Sequence, residues 1–299
     1  MMRQLFLFLS TQKGMRKWME TSPVAQKLTR RFVAGETLED ELAVCATLAK
    51  NKMFSTLDHL GENVTSLAEA EASRDAYLEA LNEIEKRALP ATVSLKLTQF
   101  GLDFSREACL ENVRALLTKA SAIGTGVEID MESTEYTDRT LEIVEKLGSA
   151  RGVIQAYLHR SAADIDRLNA LKIPVRLCKG AYDEPASVAM PNKRDVDRNY
   201  LKLMKVLLDK GTYPAIASHD ETILGEAFRY ARERKIPAEN FEFQMLYGIR
   251  NDLQQRIIDL GYRLRVYVPY GAAWYPYFMR RLAERPANVV FLAKNVLKP

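Results

Sequence analysis

Two adjacent arginines near the end of the chain, Arg280 and Arg281, are suited by type and spacing to hold an anion. On a helix they lie about 100° apart, so both reach one site at its edge. Glu284, three and four residues further on, can brace either guanidinium. Guanidinium forks fit carboxylate and phosphate because two parallel N–H···O bonds fix the plane of the ligand as well as its charge. A solvated ion pair on a basic face is the other reading of such a helix. Here Trp274, Tyr275, Tyr277 and Phe278 make the same stretch poorly hydrated, and a charge in those surroundings needs a partner.

A second set of polar residues interrupts apolar runs: Ser94 and Lys96, Glu128 and Asp130, Gln155, Arg176, and Glu242 with Gln244. Side chains alternate along a strand, so each of these pairs shares a face. Facing a layer of helices would be costly for them, so they are expected inside a barrel, near its C-terminal mouth. There Lys96, Arg176, Lys179 and the two arginines would oppose Glu128, Asp130 and Glu242 and favour a bound anion. The structural alternative is a set of ion pairs that plug the barrel, such as Arg176 with Glu128 or Glu242.

Eight short apolar runs could position these groups, at 54–57, 92–97, 127–131, 153–157, 174–177, 215–218, 241–245 and 264–268. Each is followed by a segment of helical period; between the fifth and sixth, Val196, Tyr200, Leu203 and Leu207 recur at helical spacing and Gly211 is placed to end the helix. Eight alternations of strand and helix predict an α/β fold, a (β/α)8 TIM barrel, rather than an open sheet of five or six strands. Ahead of it the spacing predicts N-terminal helices, one over residues 1 to about 34 and a second beginning at Thr37, with Asp40 in its first turn. We divide the chain into a helical segment, 1–52, packed on a barrel, 53–299, as one domain overall.

Composition narrows the function. The net charge of +4 comes from 43 basic and 39 acidic residues mixed along the chain, without the basic stripe of a nucleic-acid footprint, so no nucleic-acid partner is expected. Cys45, Cys109 and Cys178 are too few and scattered for a disulfide framework, which fits a reducing cytoplasm. Leu5 to Leu9 are only five apolar residues and are expected to be neither a signal nor a membrane span; with Arg3, Lys13, Arg16 and Lys17 nearby the stretch could touch a membrane surface, although a docked helix is preferred. His59, His159 and His219 form no close ligand pair, so no metal site is expected. Gly124-Thr125-Gly126 precedes a strand instead of following one, and no phosphate loop or Gly-x-Ser-x-Gly elbow occurs. Electrostatic and geometric catalysis remains, with two rivals: a Schiff base on Lys96 or Lys179, and a barrel that only binds an anion or a partner.

The segments LDHLGE (57–62), SLKLTQFG (94–101), VEIDME (127–132), RLCKGAYDEP (176–185), ASHD (217–220), FEFQMLYGIR (241–250) and RVYVPYGAAWYPYFMRRLAERPAN (265–288) together resemble the bacterial monofunctional proline dehydrogenase family. The resemblance implies a distorted eight-stranded barrel holding non-covalent FAD. It implies oxidation of L-proline to Δ1-pyrroline-5-carboxylate, the first step of proline breakdown, with electrons passed to a membrane quinone. It further implies that Arg280 and Arg281, with Lys96, hold the proline carboxylate while Tyr267, Leu246 and Ala181 surround the ring. Glu62 would pair with Arg280 as a gate. Arg176 would lie near flavin N5, completing a catalytic set of Arg176, Lys96, Arg280 and Arg281, and Gln155 would bond the pyrimidine edge. Asp130, Cys178, Lys179, Gly180, Ala181, Ser218, His219, Gln244 and Glu284 would complete the cofactor site. Two positions depart from the family pattern: Ser218 stands where threonine is common, and Cys178 replaces an aliphatic residue. The implied location is the cytoplasm, with a weak peripheral contact to the membrane through the basic N-terminal stretch.

Overall fold

The computed structural model describes residues 29–61, 64–275 and 277–279. Eight strands form the centre: β1 (Phe54–His59), β2 (Ala91–Leu95), β3 (Val127–Ile129), β4 (Arg151–Gln155), β5 (Val175–Cys178), β6 (Ala215–Ala217), β7 (Glu242–Leu246) and β8 (Leu264–Tyr270). Each overlaps one of the eight expected runs, with ends displaced by up to two residues. All neighbouring pairs are parallel and sequential, and β8 closes on β1 with Phe54 opposite Arg265 and Thr56 opposite Tyr267. The outward residues of the strands, among them Leu95, Val175, Leu177, Ile216, Phe243 and Val266, are fully buried beneath the helices. A strand covered on both faces must carry such residues, which is why the runs read as almost continuously apolar.

Seven helices connect consecutive strands: α2 (Leu67–Lys86), α3 (Arg106–Ala122), α4 (Thr134–Leu147), α5 (Ser161–Ala170), α6 (Lys193–Lys210), α7 (Glu221–Glu233) and α8 (Asn251–Asp259). The helix α6 stops at Gly211, as its spacing predicts. Before β1 comes α1 (Leu38–Lys50), opened by a capping box: Thr37 Oγ1 accepts from Asp40 N at 3.2 Å, and the Asp40 carboxylate accepts from Thr37 N at 3.1 Å. Such a cap stabilises a helix by about 1 kcal/mol.

The barrel is distorted at its closure. Its eighth outer position, against β8 and β1, is filled by α1, which precedes the barrel in sequence. The chain after β8 turns over the C-terminal end instead, with residues 274–275 and 277–279 helical. Trp274, Tyr275, Tyr277 and Phe278 bury themselves there against Phe32, Val33, Leu60 and Ile249. The N-terminal strap comes close enough to require glycine: Gly248 has φ +72°, and a Cβ on it would sit 1.7 Å from the Arg31 carbonyl oxygen. The expected helix over residues 1 to about 34 falls outside the described residues up to position 28, as do Glu62, Arg280, Arg281 and Glu284; over 30–34 the chain is a turn instead of the expected helix, since it leaves there to cross towards β8, where Ala34 N donates to Pro269 O at 2.9 Å.

Candidate active site

Even-numbered positions of β1, β2, β3, β5 and β7 and odd-numbered positions of β4 and β8 point into the barrel, and their polar groups stack in layers. Near the N-terminal end, Glu242, at the start of β7, is fully buried between two arginines. Arg151 Nη1 donates to its Oε1 at 2.6 Å, and Arg265 donates through Nε at 2.8 Å and Nη2 at 3.1 Å. Burial would raise this carboxyl; Arg265 and Arg151 outweigh it and hold Glu242 well below the usual carboxylate range. The Gln244 amide ties this layer to the next, donating to Glu242 at 2.8 Å and to Glu128 at 3.2 Å.

The next layers carry Glu128 and Asp130 on β3 and just beyond it, with Arg176 of β5 forked between them. Arg176 Nη2 donates to Glu128 and Nη1 to Asp130 Oδ1, the latter at 2.6 Å. The guanidinium also lies over the Tyr267 ring, 5.2 Å from its centroid. The Tyr267 hydroxyl donates to Asp130 Oδ2 at 2.6 Å, and Ser94 Oγ donates to Oδ1 at 2.9 Å. Lys96 Nζ stands 3.3 Å from both Asp58 and Asp130. These two acids are pushed apart. Burial would raise Asp130, but Lys96 and Arg176 together hold it below the ordinary range, whereas burial prevails at Asp58 and raises it despite Lys96.

At the C-terminal rim, Lys179 Nζ donates to Asp197 at 2.5 Å and to Asp220 at 2.9 Å. His219 Nε2 accepts the Leu246 N–H at 2.8 Å, which puts the ring proton of the neutral form on Nδ1. Ser218 Oγ accepts from Asp220 N, and the Gln155 amide donates to Glu132 O at 3.0 Å. Gly180 has φ +108° and lies so close to Tyr157 that a Cβ would stand 2.1 Å from the ring. Cys178 and Leu246 are half-buried and Ala181 is exposed at the same end.

Lys96, Asp130, Arg176 and Tyr267 are thus joined directly, and Gln244 joins them through Glu128. Gln155, Cys178, Lys179, Gly180, Ala181, Ser218, His219 and Leu246 lie around the ends of β4 to β7. Two expectations about partners change. Lys179 pairs with Asp197 of α6 and Asp220 at the cap of α7, because it lies one residue past β5 and has left the barrel interior. Glu242 does not meet Arg176; it sits lower, with Arg151 and Arg265. Asp58, Arg151 and Arg265 are not among the expected site residues: the first two lie just outside the apolar runs, and Arg265 is a charge inside the eighth run, two residues before Tyr267.

The buried acids fix the response to pH. Glu128, Asp130 and Glu242 are shifted down, so the stability they contribute is present above the unfolded carboxylate range and is lost as pH falls through their folded values. Asp58, shifted up, acts oppositely: its share is present below its unfolded pKa and lost as pH rises through the folded one. The urea midpoint is therefore expected to fall steeply below about pH 4, whereas a midpoint unchanged down to about pH 3 would contradict ionised carboxylates in the barrel.

A family model described as Proline dehydrogenase matches residues 42–294. Proline dehydrogenase 1 of Bacillus subtilis (strain 168) is 44% identical over 305 residues, covering 100% of both chains. Proline dehydrogenase of Deinococcus radiodurans is 39% identical over 280 residues, covering 91% of this chain and 90% of its own. Among solved structures, proline utilization A (PutA) from Bdellovibrio bacteriovorus, inactivated by N-propargylglycine, superposes with a TM-score of 0.81 at 31% identity. That match covers 87% of this chain, which spans 33% of the PutA chain. Among the described residues no helix is long and apolar enough to cross a membrane, and no group of acidic, His or Cys side chains could hold a metal ion.

Proposed function

The chain belongs to the proline dehydrogenase family, and on that premise we propose that it oxidises L-proline to Δ1-pyrroline-5-carboxylate, with FAD as hydride acceptor and a quinone as the next electron acceptor. The observation that carries the reading is the network of Lys96, Asp130, Arg176 and Tyr267 in the C-terminal half of the barrel. Chemistry on this fold is done at that end.

The residues at the mouth suit a flavin. Arg176 Nε is a buried donor with no hydrogen-bond partner among the described residues, as a group awaiting an acceptor would be. Arg176, Gln155, Gln244, Lys179 and Ser218 would supply polar contacts, with Asp130, Cys178, Gly180, Ala181, His219 and Glu284 completing the site. When bound, the flavin supplies the acceptor for the hydride leaving the ring carbon beside nitrogen.

The protein's own part is to bind and orient. Lys96, with Arg280 and Arg281, would hold the substrate carboxylate, and Glu62 would close over it by pairing with Arg280. Lys96 and Arg176 keep Asp130 ionised, and Asp130 in turn fixes the Tyr267 hydroxyl. With its hydroxyl tethered, the Tyr267 ring would form one wall of an apolar slot shared with Leu246 and Ala181, rejecting larger or hydroxylated rings by clash. Holding the reacting carbon in place removes much of the entropic part of the barrier. We place the protein in the cytoplasm, with a weak peripheral contact to the membrane that holds the quinone.

The purified protein is expected to be yellow and to bleach when L-proline is added without oxygen. A folded preparation that stays colourless with added FAD would overturn the reading, and borohydride trapping of a carbonyl ligand on Lys96 or Lys179 would favour the Schiff-base alternative instead.

A further inference from the structure

Glu41 on α1 is fully buried, and the residues beside it, Leu42, Cys45 and Leu48, belong to the apolar core. A carboxyl in such a place is costly unless it is held or neutral. Burial first, and then the charge of Asp58, push Glu41 well above the usual carboxylate range. Its Oε1 accepts the backbone N–H of Asp58 at 3.3 Å. Glu41 Oε2 and Asp58 Oδ2 are both buried without a hydrogen-bond partner among the described residues. Packing alone would be served by leucine or methionine.

Asp58 connects the two faces of the β1–β8 wall. Its amide is bonded from the α1 side, while its side chain points into the barrel, where its Oδ1 lies 3.3 Å from Lys96 Nζ. The upward shift at Asp58 arises from burial, which outweighs the charge of Lys96, with the charge of Asp130 adding to it. From the α1 side its neighbour is Glu41, and Tyr77 and Tyr270 feel its charge.

We propose that Glu41 is a positioning residue for Lys96: from the helix side of the barrel wall it fixes the end of β1 whose carboxylate holds the substrate-facing ammonium. The inference rests on the reading of Lys96 as a group that binds the substrate carboxylate. It makes α1, which fills the eighth outer position, part of the active-site scaffold.

The test is the affinity of the flavin-loaded enzyme for cyclopentanecarboxylate, a ring acid with no amine to oxidise, measured by calorimetry, with melting curves to check folding. Lys96→Met is expected to weaken binding about tenfold and Glu41→Met about fivefold, whereas Glu41→Gln, which keeps an acceptor oxygen, should stay within about twofold. In the double variant Glu41→Met should add nothing to Lys96→Met, because both act through one ammonium. Wild-type affinity in Glu41→Met alongside an impaired Lys96→Met would overturn the proposal, and so would two additive effects. An unimpaired Lys96→Met would instead overturn the reading of the lysine, and the proposal with it. Should Glu41→Met fail to fold, Glu41→Asp keeps the buried acid but shortens its reach, and the same weakening is expected of it; wild-type affinity there would equally overturn the proposal.

Discussion

Replacing Arg176 by methionine is expected to lower kcat/KM for proline by at least about 100-fold and to leave most of the purified protein without flavin. The guanidinium bridges Glu128 and Asp130 while lying over Tyr267, so the substitution removes a counter-charge from two buried acids at once. The losses are unequal. Asp130 keeps Lys96, Tyr267 and Ser94, but Glu128 is left with Gln244, the Thr92 and Thr56 hydroxyls and, as its nearest cation, Arg265 at 3.8 Å. Breaking a buried pair by removing one partner costs about 3–5 kcal/mol, so the melting temperature should fall as well. Arg176→Lys should recover only part of this, because a compact ammonium lacks the planar fork of donors with which the guanidinium holds Glu128 and Asp130 in fixed geometry. The checks are the flavin-to-protein absorbance ratio and steady-state kinetics with L-proline. Full flavin content with unchanged kcat/KM in the methionine variant would remove Arg176 from the site.

Glu242→Leu is expected to cost about 3–5 kcal/mol of stability while leaving the flavin content and proline KM of the folded protein unchanged. The reason is position along the barrel. Glu242 is the acid shared by Arg151 and Arg265, and without it two guanidiniums are buried with no carboxylate of that layer to face. The proposed site lies nearer the C-terminal ends of the strands, above the layer of Glu242, Arg151 and Arg265. Charges at the N-terminal end of such a barrel bear on stability, and those at the C-terminal end on chemistry. A urea titration would show the lowered midpoint. An unchanged midpoint would mean that water or rearranged side chains compensate for the lost acid. Replacing all three residues by well-packed apolar ones should restore most of the loss, since the cost arises from unpaired charge rather than from missing volume.

Much of the barrel was legible in the chain. Strands covered on both faces must be apolar, and so all eight could be found from composition and interruption alone. The Thr37 cap was equally readable, because a hydroxyl three residues before a carboxylate satisfies helix N–H groups by local geometry. Period-two alternation also showed that Glu128, Asp130, Arg176 and Glu242 face inward together.

Alternation gives a side chain's face but not its height in the closed barrel. Height is set by the stagger with which eight strands close, a property of the whole sheet. That is why Glu242 was expected near Arg176 and is instead held by Arg151 and Arg265, and why Asp58 and Lys96, 38 residues apart in sequence, meet across β1 and β2. The destination of α1 was hidden for a related reason. An apolar helical stripe records that a helix must be covered, and only the turn of the chain after β8 over the barrel mouth leaves α1 the place of an eighth outer helix. The sequence by itself determined the strands, their inward faces and the residue types at the mouth. The tertiary structure decided which charges meet, because that depends on barrel closure, to which no single segment holds the key.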